Sequence, residues 1–420
     1  MKNLIVPGDK SISHRAILFG SLSEGVTHIK GLLEGEDVLH TIKIFQELGV
    51  SIEKKKDIWI VSGKGLGGLR PPRQVLDCGN SGTTMRLLLG LLSACPFVST
   101  LTGDDSLNRR PMRRVIDPLI KMGAKIREYH EGASRFIEVQ GGPLHPAQFK
   151  IPVASAQVKS ALILAGLASG VKVSVKEPQK SRDHTEKMLK AFGADIHVKG
   201  LTVEIRPGGT LRGLSLQVPS DFSSAVFFLV AALISPDSRK KVCIKNVGIN
   251  ETRTGALDIL RRMGAKIQVL HRKKVGGEPV ADLVARSSKL KAIKIGGSII
   301  PRLIDEIPIL CVAAARARGK TVIRDAAELR VKESDRIRAM ATEFSRFGVQ
   351  VRELEDGLEI TGSEADLLYG ASCQSYGDHR VAMSLMILGT AVSGETVIDD
   401  TRCVETSFPN FGGLLNKFTK

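Results

Sequence analysis

The chain switches repeatedly from a helical pattern of apolar residues to a β-strand pattern, and each switch occurs at a glycine. Leu, Met or Phe ends the helical pattern; Gly, then Ala or Val, one polar residue and a β-branched residue follow. Such a glycine suits the left-handed residue that closes a helix before the chain enters a strand. The five glycines are spaced 74, 70, 71 and 84 residues apart: Gly49, Gly123, Gly193, Gly264 and Gly348. This spacing predicts a repeated structural unit of about 70 residues.

A second helical pattern alternates with the first and is apolar on every side except at its first turn. A helix of this kind must be buried, since it has no polar face to present to water. Each copy leads into a short run rich in β-branched residues, which predicts a strand. The six copies begin near Ser11, Ser81, Ser155, Ser223, Asp305 and Asp378.

Together the two patterns predict an α+β fold built from six βαβαββ units, three in each of two domains. The last unit ends before its final strands, and residues 2–6 have a strand pattern with no helix ahead of them. We therefore expect the N-terminus to complete the C-terminal half of the chain. The predicted domains are 8–220 and a discontinuous domain of 1–7 plus 221–420.

Composition and charge favour small anions as ligands. The chain has 61 basic and 44 acidic residues, a net charge of +17, which favours anionic partners. An aromatic content of 4% argues against the base-stacking surface of a nucleic-acid-binding protein. The longest apolar run, 225–234, is about half the length that a membrane span needs. The first residues lack the pattern of a secretory or transit segment, and we expect a cytoplasmic location.

The sequence predicts neither a metal site nor a cofactor. The six cysteines lie far apart without a C-x-x-C pair, and no H-E-x-x-H motif occurs. In this pattern the cysteines are expected to be reduced thiols. The glycine cluster at 63–68 lacks the spacing of a phosphate-binding loop and is followed by Pro71 and Pro72, which predict a turn.

Cations stand at the polar starts of several buried helices. The N-terminus of a helix carries free N–H groups and a partial positive charge, so it binds anions and disfavours Lys and Arg. Ser, Asn and Asp at these positions are explained by helix capping, but Lys10, Arg15 and Arg380 are not. These three side chains are candidate anion ligands. The charged run 330–336 also begins a predicted helix, although a solvated, salt-bridged helix face would have the same pattern.

A series of motifs spanning nearly the whole chain resembles that of the EPSP synthase family, the 3-phosphoshikimate 1-carboxyvinyltransferases among the enolpyruvate transferases. The motifs are PGDKSISHR at 7–15, GNSGTTMR at 79–86, RRPM at 109–112, VASAQVKS at 153–160, SRDHT at 181–185, RVKESDR at 330–336 and DHR at 378–380. The SRDHT segment is similar to the bacterial subgroup called class II. The resemblance implies an inside-out, α/β barrel-like fold with the active site in the cleft between two domains.

The resemblance also implies a reaction that uses no cofactor. The enolpyruvyl group of phosphoenolpyruvate would pass to the 5-hydroxyl of shikimate 3-phosphate, with release of phosphate, by addition and elimination. This step of the shikimate pathway leads to chorismate and the aromatic amino acids, and its enzyme is the target of glyphosate. The implied partners are these two small anions, with no nucleic acid, no membrane and a monomeric protein.

By motif position, the resemblance assigns roles to residues of this chain. Asp305 is the candidate base, Glu333 the candidate proton donor, and Lys10 a third catalytic residue. The expected contacts of shikimate 3-phosphate are Lys10, Ser11, Arg15, Ser155, Ala156, Gln157, Arg182, Asp305 and Lys332. The expected contacts of phosphoenolpyruvate are Lys10, Asn80, Gly82, Arg110, Gln157, Arg336, His379 and Arg380.

Three positions depart from the common family pattern. Ala156 stands where many members have a second serine, Glu405 where a lysine is frequent, and Gly82 is not the alanine of some herbicide-tolerant members.

Two alternative functions stay open. A UDP-N-acetylglucosamine enolpyruvyltransferase is the nearest alternative function, although the comparable loop at 104–112 lacks the reactive cysteine of that enzyme. An RNA-end-processing protein on a similar repeat fold is the other.

Overall fold

The computed structural model describes residues 2–132, 134–363 and 367–420. The helices are α1 (Lys10–Leu22), α2 (Glu36–Glu47), α3 (Gly82–Leu92), α4 (Asp105–Arg109), α5 (Arg113–Lys121), α6 (Ala156–Ser169), α7 (His184–Phe192), α8 (Phe222–Ile234), α9 (Gly255–Arg262), α10 (Ile307–Ala315), α11 (Arg336–Arg346), α12 (His379–Gly389) and α13 (Phe411–Thr419). None of the helices in this described part is long and apolar enough to cross a membrane.

The described strands pair mostly within four-stranded sheets. They are β1 (Lys2–Leu4), β2 (Val26–Lys30), β3 (Ser51–Lys55), β4 (Ile58–Ser62), β5 (Leu76–Asp77), β6 (Val98–Thr102), β7 (Lys125–Glu131), β8 (Ser134–Gln140), β9 (Ala147–Lys150), β10 (Val173–Lys176), β11 (Ile196–Lys199), β12 (Thr202–Ile205), β13 (Ser215–Gln217), β14 (Lys241–Gly248), β15 (Lys266–Val275), β16 (Glu278–Arg286), β17 (Lys294–Ile295), β18 (Lys320–Ile323), β19 (Gln350–Leu354), β20 (Gly357–Thr361), β21 (Ser372–Cys373) and β22 (Val397–Ile398).

The chain divides into two compact units. The unit that we call the N-terminal unit comprises Gly8–Val218 and Val275–Gly277, and the C-terminal unit comprises Met1–Pro7, Pro219–Lys274 and Glu278–Lys420. The first boundaries along the chain therefore lie at Pro7 and at Val218, whereas the sequence placed the second one two residues later. Each unit has its own hydrophobic core.

One sheet topology recurs along the chain. The sheets of the N-terminal unit have the orders β13-β2-β4-β3, β5-β6-β8-β7 and β9-β10-β12-β11. Those of the C-terminal unit are β1-β14-β16-β15, β17-β18-β20-β19 and the two-stranded β21-β22. In every sheet the first two strands are parallel. The predicted α+β fold of repeated βαβαββ units, three per unit of the chain, is confirmed, with the sixth repeat shortened to two strands.

The edge strands show how the repeats are completed. β1 pairs in parallel with β14, so the N-terminus completes the fourth repeat rather than the shortened last one. β13 pairs in parallel with β2 and supplies the corresponding edge strand of the first repeat. The sequence analysis missed β13, because three residues between turn segments are too few to show an alternating pattern.

The glycines at the helix-to-strand switches adopt the predicted conformation. Their φ angles are +89° at Gly49, +103° at Gly123, +100° at Gly193, +92° at Gly264 and +82° at Gly348. A side chain would be strained at such angles. The glycines therefore end α2, α5, α7, α9 and α11, and they let the chain reverse directly into the next strand.

The apolar helices form the centres of the two cores. All thirteen residues of α8 are buried, as are all nine of α10. In the N-terminal unit, α3 and α6 approach so closely that a Cβ on Gly90 would lie 2.1 Å from the backbone oxygen of Ala161. This contact sets the spacing of two helices whose first turns carry candidate site residues.

Replacing Gly90 with alanine should therefore destabilise the protein by about 1 to 3 kcal/mol, because the new methyl group meets backbone that cannot move without separating the helices. Urea unfolding would measure the loss. The matched control is Gly67→Ala, at an exposed glycine whose added Cβ meets no atom within 4 Å among the described residues. A Gly90 variant as stable as this control would show that the helices separate freely.

Candidate functional site

In the N-terminal unit, three buried helices begin with capped polar turns. The Asp9 carboxylate accepts a hydrogen bond from the Ile12 amide at 2.9 Å and caps α1. Ser81 caps α3 through the Thr84 amide, and Ser155 caps α6 through the Val158 amide. These first turns present further backbone N–H groups that can bind an anion.

Lys10, the first residue of α1, is held by a carboxylate of the next helix. Its Nζ lies 2.9 Å from Asp37 Oδ2, and the Lys10 side chain stays 20% exposed while that of Asp37 is buried. The ion pair offsets the unfavourable position of a cation at a helix N-terminus. It also directs the ammonium group without removing it from solvent.

Arg15 lies one turn further along α1 and is buried. Its guanidinium donates to Thr185 Oγ1 at 2.7 Å, to Ser160 Oγ at 3.0 Å and to the Ser11 carbonyl oxygen at 3.0 Å. These three acceptors are neutral oxygen atoms that orient the guanidinium through hydrogen bonds. The bonds to Ser160 and Thr185 tie α1 to α6 and α7.

The burial of α1 also affects His14. Its Nδ1 lies 2.8 Å from Thr41 Oγ1. Burial, followed by the positive charges of Lys10 and Arg15, holds the pKa of His14 well below its usual value. The imidazole is therefore neutral at physiological pH and does not add to the local positive charge.

Asn80 and Arg110 are brought together at the start of α3. Arg110 Nη2 donates to Asn80 Oδ1 at 2.6 Å, and Asn80 Nδ2 donates to Asp104 at 2.7 Å. A Cβ on Gly82 would lie 3.3 Å from Arg110 Nη1 and 2.7 Å from Arg86 Nη1. Glycine at this position therefore leaves the room that both guanidinium groups occupy.

Arg86 is a residue that the sequence analysis did not select. It donates to Gln157 Oε1 at 2.6 Å, and Gln157 Nε2 donates to Thr83 Oγ1 at 2.9 Å. These bonds fix the amide of Gln157 at the first turn of α6. Arg86 is the last residue of the 79–86 motif. Its position four residues after Gly82, on the same helix face, is the sequence signal that could have identified it.

The remaining N-terminal candidates lie on or just before the helices α1, α6 and α7. Ser11 and Ala156 occupy first turns, of α1 and α6 respectively. Arg182 is partly buried two residues before the start of α7.

In the C-terminal unit, the candidate residues gather around the buried guanidinium of Arg336. It donates from Nε to Asp378 Oδ2 at 2.8 Å and from Nη2 to Glu333 Oε2 at 2.7 Å. Its Nη1 lies 3.6 Å from Asp305 Oδ1. Burial acts to lower the pKa of Arg336, but Asp378 and then Glu333 outweigh burial and raise it. The guanidinium is therefore a permanent cation.

Asp305 faces two cations at the same distance. Lys332 Nζ and Arg336 Nη1 each lie 3.6 Å from its Oδ1, beyond hydrogen-bond length. The sequence placed Asp305 at the first turn of the fifth buried helix, whereas it occupies a single 3₁₀ turn, Ile304–Glu306, directly before α10. Pro308 at the start of α10 is compatible with this arrangement.

Asp378 connects Arg336 to the start of α12. Its Oδ1 accepts the backbone amide of Arg380 at 2.9 Å and so caps the helix, while Ser334 Oγ donates to its Oδ2 at 3.0 Å. Burial alone would raise the pKa of Asp378, yet the Arg336 charge outweighs it and holds the pKa below its usual range. One carboxylate therefore orients two arginines of the site.

Arg380 and His379 occupy the first turn of α12. Arg380 Nη1 donates to the backbone oxygen of Asp305 at 3.0 Å and lies 3.9 Å from Glu306 Oε1. His379 is buried beside Asp378. The bond from Arg380 thus ties the start of α12 to the turn that carries Asp305.

A buried chain of polar groups extends from Glu306, which the sequence analysis did not select. Ser223 Oγ donates to Glu306 Oε1, and Arg253 Nη2 donates to Ser223 Oγ at 2.6 Å. Arg253 also lies 3.7 Å from Asp221, which caps α8. No sequence signal marked Arg253, because it lies in a turn outside the repeated patterns.

The chain matches the family described as EPSP synthase (3-phosphoshikimate 1-carboxyvinyltransferase) over residues 1–415. It belongs to the EPSP synthase family. A relative from Geotalea uraniireducens (strain Rf4), named 3-phosphoshikimate 1-carboxyvinyltransferase, is 51% identical over 414 residues, which are 99% of this chain and 96% of the relative.

Solved structures agree with this family membership. The EPSP synthase from Acinetobacter baumannii is 46% identical and has a TM-score of 0.86, covering 99% of this chain and 95% of its own. The enolpyruvyl transferase NikO from Streptomyces tendae has a TM-score of 0.79 at 17% identity, covering 100% of this chain and 94% of its own. At that identity, NikO shares the fold alone.

Glu405, one of the three departures from the family pattern, lies near the end of the chain. It lies in the 3₁₀ helix Arg402–Thr406, and its Oε1 accepts a hydrogen bond from the Asn410 amide at 3.4 Å. Glu405 therefore has a role in holding the segment that leads to α13.

The buried ion pair between Asp378 and Arg336 is tested by replacing Asp378 with asparagine. Asparagine still caps α12, but it removes a fully buried negative charge that lies 2.8 Å from Arg336 Nε. We expect the free energy of unfolding to fall by about 3 kcal/mol, as when one partner of a buried pair is lost. Urea unfolding measures this change.

The control for that variant is Asp335→Asn at the cap of α11. Asp335 accepts the Arg338 amide and pairs with Arg330, but its side chain is 30% exposed. The loss there should stay below about 1 kcal/mol. Equal losses in the two variants would contradict the special role of Asp378.

Proposed function

We propose that this protein transfers the enolpyruvyl group of phosphoenolpyruvate to the 5-hydroxyl of shikimate 3-phosphate, with release of phosphate. The observation that carries this proposal is the oriented arginine and lysine side chains at helix starts and around Asp305, in a chain of the EPSP synthase family. Each close ion contact is worth roughly 4 kcal/mol at an effective dielectric constant of about 20, before desolvation. Several such cations suit two substrates that carry phosphate and carboxylate groups.

In the N-terminal unit, the capped first turns provide the anion contacts. Shikimate 3-phosphate binds through Ser155, the backbone of Ala156 and the amide of Gln157, with Ser11, Arg15 and Arg182 completing the proposed set. Lys10 contacts both substrates. Phosphoenolpyruvate binds beside Asn80, Gly82 and Arg110, where the missing side chain of Gly82 gives it access to the guanidinium.

In the C-terminal unit, Arg336, Arg380 and His379 hold phosphoenolpyruvate, and Lys332 holds shikimate 3-phosphate. Asp305 takes the proton of the 5-hydroxyl as its oxygen attacks C2 of phosphoenolpyruvate. Its Oδ1 lies 3.6 Å from Lys332 Nζ and from Arg336 Nη1, beside the cations that hold the two substrates in this proposal. The addition gives a tetrahedral intermediate that holds both substrates in one covalent species.

Glu333 protonates the methylene carbon of phosphoenolpyruvate in the same addition. Glu333 must be a neutral carboxyl group to give this proton, whereas an arginine partner favours the ionised carboxylate, and Glu333 Oε2 lies 2.7 Å from Arg336 Nη2. The carboxylate of bound phosphoenolpyruvate also pairs with Arg336, which weakens the bond between Arg336 and Glu333. In the elimination, a base removes one methyl proton, the C–O bond to phosphate breaks, and the enolpyruvyl double bond forms.

The reaction is tested by phosphate release from phosphoenolpyruvate and shikimate 3-phosphate, each omitted in turn. We expect release only when both substrates are present. Release with UDP-N-acetylglucosamine in place of shikimate 3-phosphate would instead support the alternative acceptor, and no release from folded protein with either acceptor would overturn the proposal. The monomeric state and the cytoplasmic location stay predictions.

The catalytic roles are tested by Asp305→Asn and Glu333→Gln, which remove a proton acceptor or donor while keeping side-chain size. Each should lower kcat by about a hundredfold or more, with a much smaller change in KM. Steady-state phosphate release measures both constants. The control is Asp258→Asn, which removes a carboxylate paired with Arg302 at 2.9 Å outside the site. Near-normal kcat in either site variant would refute its assigned role.

A further inference from the structure

A cavity with a polar interior lies wholly within the N-terminal unit, between α6, α7 and the β11–β12 hairpin. Its volume is about 270 Å³. This is slightly below the range of about 300 to 1,000 Å³ that is typical of sites for drug-sized ligands. None of the residues that line it was assigned to either substrate above.

The floor of the cavity carries a buried excess of negative charge. Lys159 Nζ lies 2.8 Å from Glu177 Oε2 and 2.6 Å from Glu186 Oε1, and all three side chains are at least nine-tenths buried. One ammonium group faces two carboxylates. Glu177 Oε1 and Glu186 Oε2 are buried and have no hydrogen-bond partner among the described residues. Two buried acceptors without donors are costly unless a ligand supplies the donors.

The rim of the cavity has the opposite charge. Lys180, Lys187 and Lys190 line it together with a single acid, Asp183. Asp183 lies 3.6 Å from Lys180 Nζ and 3.1 Å from Lys187 Nζ, whereas Lys190 is exposed at the end of α7. The positive rim would repel a simple cation, and the negative floor would repel a simple anion.

The remaining wall is apolar and partly open. Ile196 and Val203 are buried, while Val198 is 55% exposed and Leu201 is 37% exposed. Exposed aliphatic side chains beside a polar cavity provide a surface for an apolar group of a ligand.

We propose that this cavity binds a small zwitterion of the α-amino acid class with an apolar side chain. The ammonium group donates to Glu177 Oε1 and Glu186 Oε2 and neutralises the excess charge of the floor. The carboxylate group meets the lysines of the rim, and the side chain packs on Val198 and Leu201. This arrangement satisfies the buried acceptors and matches both signs of charge.

The cavity is separate from the proposed substrate contacts but shares their helices. Lys159 precedes Ser160, and Glu186 follows Thr185; the hydroxyls of Ser160 and Thr185 both accept hydrogen bonds from Arg15. The inference nevertheless concerns binding alone. It does not depend on the proposed enzymatic activity, and its test uses no turnover.

The test is isothermal titration of the full-length protein with three matched probes: L-phenylalanine, phenethylamine, which lacks the carboxylate, and 3-phenylpropanoate, which lacks the ammonium group. We expect L-phenylalanine to bind with a Kd at least about tenfold lower than either truncated probe, since each loses one set of charge-assisted hydrogen bonds. Absence of L-phenylalanine binding would overturn the proposal. Phenethylamine or 3-phenylpropanoate binding as tightly as L-phenylalanine would also overturn it.

Variants locate the binding within the cavity. Glu186→Gln should weaken L-phenylalanine about tenfold or more, whereas Glu204→Gln, at a carboxylate of β12 paired with Lys172 and Arg206, should leave it unchanged. Lys190→Ala, at an exposed position that tolerates truncation, should weaken L-phenylalanine but not phenethylamine. Unchanged affinity in both cavity variants would show that any binding occurs elsewhere.

Discussion

A helix that is apolar on every side can present polar groups only at its ends, and this constraint organises the whole molecule. Helices such as α6, α8 and α10 are buried along almost their full length. Their unpaired N–H groups and capping side chains are therefore concentrated in single turns. The repeats place several of these turns in each unit, so the hydrophobic core itself determines where anions can bind.

The cations at these turns are oriented before any substrate arrives. Arg15 is held by neutral hydroxyl and carbonyl oxygens, whereas Arg336 is held by carboxylates. Neutral acceptors orient a guanidinium through hydrogen bonds. Carboxylates stabilise a buried guanidinium and can share it with the carboxylate of a substrate. The two kinds of partner suit the different roles proposed for Arg15 and Arg336.

The helix pair α6–α7 has polar functions on two sides. On one side, Ser160 and Thr185 orient Arg15. On the other side, Lys159 and Glu186 form part of the buried floor of the cavity between α6, α7 and the β11–β12 hairpin. Neighbouring residues of a helix point in different directions, so adjacent positions can serve unrelated contacts. The same short segments thus contribute to both the proposed substrate site and the proposed amino acid site.

The sequence alone determined the repeated α+β unit, its buried helices and the left-handed glycines, because these features depend on residues close together in the chain. It also drew attention to Lys10, Arg15 and Arg380, since a cation at a helix start contradicts the helix dipole. The strand pattern of residues 2–6 indicated that the N-terminus completes the C-terminal half, but only the tertiary structure decided that β1 pairs with β14 in the fourth repeat and that β13 completes the first. The tertiary structure also decided the contact of Arg86 with Gln157, the sharing of Arg336 among three carboxylates, and the unpaired oxygens of Glu177 and Glu186. Each of these depends on side chains from different repeats or helices meeting in space, which local periodicity cannot specify.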